Sequence, residues 1–120
     1  MTAVAEKKRA LSALMIAGYA LQKAVEAESR VTFFRPIAKT EAIKRIMAAG
    51  PNPLTEKPHS ASSAETFVEQ DALYAAACGE VTKAVTWRMQ MEHEYAIAKL
   101  EAEYAVRHAA QVQEPIGTAA

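Results

Sequence analysis

The stretch Arg30-Val31-Thr32-Phe33-Phe34-Arg35-Pro36-Ile37-Ala38-Lys39 carries the densest mixture of cations and aromatic rings in the chain. Single-stranded nucleic acid is commonly held in this way, with cations along its backbone and rings against its bases. Lys44 and Arg45 extend the positive charge. Arg30, Phe33, Phe34, Arg35, Lys39, Lys44 and Arg45 are therefore the candidate nucleic-acid contacts. Phe33 and Phe34 have a second reading, in which they close the end of a helical bundle or an oligomer interface. Adjacent helical residues point about 100° apart, so at least one ring is expected outside a core.

A second candidate lies between residues 50 and 65. Ser60, Ser62 and Ser63 stand just before or at a helix start, where unpaired N–H groups favour an anion. Lys57 and His59 add donors and join the contact set as outer contributors. Against this, Ser62-Ser63-Ala64-Glu65 fits the S-x-x-E capping box, which would use those donors, and Glu56 and Glu65 oppose a phosphate. Both readings stand at this level.

Metal chemistry finds no footing. A bundle di-iron site needs Glu-x-x-His pairs, but Gln90 precedes His93 by three residues and Ala105 precedes His108. His93-Glu94 lacks the second histidine of H-E-x-x-H. Cys78, the single cysteine, has no basic neighbour in sequence to activate its thiol. It permits no disulfide within one chain, and a reducing cytoplasm is the expected setting. With four glycines the chain has no phosphate loop. The expectation is a non-enzymatic protein with no metal, no cofactor and no small-molecule substrate.

Composition points to helices and to company. Hydrophobic residues make up 51% of the 120-residue chain, but alanine dominates them. Alanine builds helices well and buries little area, so one copy would have a thin core and self-association is expected. The formal net charge is zero, which argues against a simple duplex-DNA binder. It is split, with nine Lys/Arg against four Glu in residues 1–50 and five Lys/Arg against ten Asp/Glu in 51–120. Lys7, Lys8 and Arg9 before Ala10–Leu21 imitate a secretory signal, but Glu6 precedes them and no clear cleavage site follows. The run is also shorter than the roughly 20 apolar residues a membrane span needs.

The elements that would carry these residues are helical throughout. Leu11, Leu14, Gly18, Leu21 and Val25 make a three-four stripe along a helix over 3–35. Pro36 is expected to end it. A short helix over 41–49, capped by Thr40, should stop at Gly50-Pro51. A proline- and serine-rich connector (50–63), a short turn (64–69) and a helix over 72–111 with Asp71 as N-cap follow. On that last helix Ala84, Met91, Tyr95, Ala98, Ala102, Ala105 and Ala109 form a small-residue seam interrupted by Arg88. Ile97, Leu100 and Tyr104 form a bulkier second edge. Residues 114–120, with Pro115 and Gly117, read as a flexible tail. The expected fold is all-α: one domain over 1–113, an elongated antiparallel helical hairpin or bundle that forms a homo-oligomer.

Gly50–Ala77 resembles a pattern found in small helical proteins of tailed bacteriophages and prophages. A short helix (41–49), a Ser/Ala-rich capped turn (60–65), a Val-Glu-x-Asp step (Val68–Asp71) and a long helix bearing Tyr74 follow in that order. Such genes often lie near recombination or single-strand-annealing genes. The resemblance implies an accessory role in DNA recombination or replication in a bacterial host, with single-stranded DNA or a recombination protein as partner. It offers no catalytic residue. The other functional class left open is a structural or protein-interaction module, such as a coiled-coil scaffold or an inhibitor of a host protein.

Overall fold

A computed structural model of the chain describes the backbone of residues 2–119 and the side chains of residues 2–112. It is all-α, with no strand among the described residues. Helix α1 is Ala3–Ala49, α2 is Ala61–Glu65, a 3₁₀ turn covers Val68–Gln70, and α3 is Ala72–Ala119. The flexible tail expected over 114–120 falls outside the residues whose side chains are described.

One expected break does not occur. Pro36 lies inside α1, which continues as one helix of 47 residues. Proline removes one backbone hydrogen bond and crowds the carbonyl four residues earlier. Here both Pro36 and Thr32 are exposed, so water can satisfy the freed Thr32 carbonyl. Val31, Ala38 and Ala42, on the other side of the helix, stay packed before and after the proline. Packing on one face therefore holds the helix through a local defect on the opposite face. Thr40 caps nothing: its hydroxyl donates to the Pro36 carbonyl within the helix.

Contacts divide the chain into two units, Met1–Val25 with Trp87–Ala120 and Glu26–Thr86. In the first, α1 and α3 run antiparallel. Gly18 sits beside Tyr95, while Leu11 and Leu14 share a groove with Ala102 and Val106. The inner positions of α3 follow a three-four spacing: Met91, Tyr95, Ala98, Ala102, Ala105 and Ala109, of which the four alanines are buried. On α1 the inner row is Ala10, Leu14, Ala17, Leu21 and Ala24. Leu11 and Val25, expected inside, are exposed. Alanine at the contact lets two helices approach closely, and Leu11 and Val25 fall to its flanks.

In the second unit the remainder of α1 packs against the connector, α2, the 3₁₀ turn and the start of α3. Ala42, Ala64, Val68 and Ala84 are its buried apolar residues. Asn52 organises the connector. Its side-chain oxygen accepts the Leu54 N–H, and its backbone bonds to Thr55, Glu56 and Lys57. The tight loop puts Glu56 at a φ of 60°, a left-handed conformation that non-glycine residues seldom adopt. Gly50, just past the end of α1, has a φ of 143°, which favours glycine.

Candidate functional site

All nine candidate contacts lie in the second unit, but they do not share one surface. Helical spacing puts Arg30, Phe33, Phe34 and Lys44 on the outer side of α1, together with Ile37. All five are exposed. Phe33 and Phe34 are 69% and 54% accessible, and their rings meet edge to face at 5.8 Å between centroids. Both rings are thus outside the core. Lys44 reaches Glu41 at 3.4 Å on the same helix.

The other cations turn elsewhere. Arg35 lies on the side of α1 toward α3, close enough for its charge to act on Tyr74. Lys39 is paired with Glu65, which raises the lysine pKa through a hydrogen bond and direct charge attraction. Arg45 holds Asp71 through two hydrogen bonds of 2.9 and 2.8 Å. Asp71 also accepts the Tyr74 N–H at 2.9 Å, so it is the N-cap of α3, as its position in the sequence implies. The Arg45 guanidinium, aided by the Tyr74 N–H, holds the Asp71 carboxyl down to about 2. Tyr74 is pushed up, first by its hydrogen bond with the Cys78 side chain and then by burial.

The connector serines cap a helix, two residues earlier than the sequence pattern places the box. Ser60 is the N-cap of α2: its hydroxyl accepts the Ser63 N–H, and the Ser63 hydroxyl accepts the Ser60 N–H. Ser62 is not the cap, and Glu65 is drawn away to Lys39. With Ser60 as the N-cap, the N3 position of the box falls on Ser63, and Glu65 lies two residues beyond it. His59 Nδ1 lies 2.9 Å from the Ser63 hydroxyl, and its ring meets Phe67 edge to face. Lys57 is exposed beside them.

Near the end of α1, a groove of about 380 Å³ is lined by Arg45, Ile46, Pro51, His59 and Phe67, among others. Its charged groups, Arg45 and Asp71, satisfy each other. Among the described residues no cluster of three or more His, Cys, Asp or Glu is placed to hold a metal ion. No described helix is long and apolar enough to cross a membrane. Sequence reasoning missed Asn52 and Ser60 as organisers of the connector. The Asn-Pro step and the spacing of Ser60 from Ser63 were the available signals.

The open part of the candidate surface is the outer side of α1: Phe33, Phe34 and Ile37 are exposed, Arg30 precedes them by about one turn, and Lys44, paired with Glu41, follows Ile37 by about two turns. It can hold flat apolar or aromatic groups and attract negative charge, and it offers no nucleophile or proton relay. Comparison with protein-family models, curated proteins and solved structures finds no match to this chain.

Proposed function

We propose that the chain is a non-enzymatic accessory protein of phage type, acting in the cytoplasm of a bacterial host in DNA recombination or replication. It works by contact, through the outer side of α1 from Arg30 to Lys44, and its copies self-associate. The observation that carries the reading is the exposure of Phe33 and Phe34 next to Arg30, with Lys44 further along the same side of α1. Exposed rings offer stacking surfaces to bases, and the cations add backbone attraction, which is how single strands are bound without sequence preference. The resemblance of Gly50–Ala77 to phage accessory proteins supplies the biological setting.

The test is binding of a fluorescent single-stranded oligonucleotide at low and high salt. Binding should weaken with salt and fall at least tenfold in Phe33→Ala with Phe34→Ala, and in Arg30→Glu with Lys44→Glu. Arg35, Lys39 and Arg45 are poorer test positions because each faces the other elements of its own unit. No binding at low salt would remove the single-strand reading.

A second reading is favoured by Ile37, which extends the two rings into an apolar patch. Patches with large apolar side chains at the centre and cations at the rim also suit a protein partner. In that case the same phenylalanine substitutions abolish capture of a recombination protein and leave the oligonucleotide assay blank.

A further inference from the structure

The groove of about 380 Å³ near the end of α1 lies wholly within the second unit, and its volume is that of a small-ligand site. Ile46, Pro53 and the rings of His59 and Phe67 give it apolar and aromatic walls. Several polar atoms of its lining remain unbonded. Arg45 engages Asp71 through Nε and Nη2, which leaves Nη1. His59 meets Ser63 through Nδ1, which leaves Nε2. The side-chain amide of Gln70 is exposed and has no partner among the described residues.

These groups select the chemistry of an occupant. Asp71 lines the groove, and so does the carbonyl end of α1, whose last turn holds no basic residue. Both disfavour a bare anion. Arg45 disfavours a bare cation. What fits is a flat, uncharged ring with a polar edge. Arg45 and Gln70 supply donors, the Gln70 carbonyl supplies an acceptor, and His59 Nε2 serves as either according to its tautomer. A nucleobase presents several donors and acceptors along one edge. A tyrosine or tryptophan side chain of a protein partner presents a single hydroxyl or N–H. Arg45 also follows Phe34 by about three helical turns, or about 16 Å, on nearly the same line of α1. A strand resting on Phe34 therefore has a direct course along α1 to the groove.

We propose that this groove takes one unstacked base of the bound strand, packed against Phe67, His59 and Pro53 and hydrogen-bonded at its edge by Gln70 and Arg45. The proposal deepens the single-strand reading of the proposed function and rests on it for its ligand class.

Nuclear magnetic resonance of the isotope-labelled full chain tests it, with deoxyadenosine and a ten-nucleotide single strand as probes. Deoxyadenosine should shift the amide signals of Gly50, Phe67 and Gln70. The strand should shift these together with Phe33 and Phe34. Gln70→Ala, at an exposed position, should weaken strand binding at least threefold with helix content by circular dichroism unchanged. The factor should be the same at low and high salt, because the lost contact is uncharged. Leu54→Ala, an exposed connector position that does not line the groove, should have no effect. A strand that binds and moves Phe33 and Phe34, yet leaves the groove signals still or ignores Gln70→Ala, would overturn the base site and leave the single-strand reading standing. No strand binding at low salt would remove both. Groove signals moved by N-acetyltryptophanamide and not by deoxyadenosine would assign the groove to a protein side chain and overturn the proposal.

Discussion

Arg45 on α1 and Asp71 at the start of α3 meet through two hydrogen bonds, 26 residues apart in sequence. One carboxylate thereby caps a helix and ties it to its neighbour. Its folded-state pKa of about 2 lies below the usual value of about 4 for an aspartate. A depressed carboxylate contributes stability that is fully present above its unfolded pKa and is lost as pH falls through its folded pKa. That window runs from about pH 4 down to about pH 2. Melting temperature should fall steeply across it in the wild type and less steeply in Asp71→Asn, followed by circular dichroism. Equal slopes would show that the pair does not titrate with folding.

The relocated cap separates two neighbouring serines. Ser60→Ala removes the N-cap of α2 and should cost about 1 kcal/mol. Ser62→Ala, which alters an exposed residue outside the reciprocal pair, should be close to neutral. Urea denaturation of the two variants decides between them. A larger loss at Ser62 would restore the S-x-x-E register read from the sequence.

The continuity of α1 makes Pro36 a source of instability. Its ring is exposed, and its only evident backbone effect is to remove a helical hydrogen bond. Pro36→Ala should raise stability, by up to about 3 kcal/mol. Gly79→Ala, where an added Cβ meets nothing within 4 Å, should add about 1 kcal/mol. If Pro36→Ala left stability unchanged, or lowered it, α1 would be better described as two helices.

The alanine seam should resist enlargement. Ala102 is 3% accessible, and Ala102→Leu forces extra carbons between α1 and α3, a cost of about 1–3 kcal/mol. Ala96→Leu, the same change at an exposed position on the same helix, is the control and should be near neutral. Thermal melts of the pair would reveal which side of α3 faces inward.

The α3 seam could be read from spacing alone, because small residues recur there with helical period and few large ones compete. Arg88, which interrupts it, is half-buried and reaches Glu92 one turn further along. On α1 the same reasoning placed Leu14, Gly18 and Leu21 inward correctly and erred at the ends of the row, Leu11 and Val25. Leu11 and Val25 are larger than Ala10 and Ala24, and size suggested burial. When both partners present alanine, however, the closest approach follows the alanines. The candidate site was legible in kind and incomplete in geometry. The cations are visible in the sequence, but their acidic partners, Glu65 and Asp71, each lie 26 residues away from them.

Local chemistry determined the helical class, the stop at Gly50-Pro51 and the cap at Asp71, since each depends on a few adjacent residues and their backbone preferences. Only the tertiary structure decided that α1 runs through Pro36 and that Ala10, Ala17 and Ala24 face α3. It also sent Arg35, Lys39 and Arg45 away from the exposed rings. Those outcomes depend on which surfaces pack and which charges meet across long separations, and the free energy of such contacts exists only once the helices have come together.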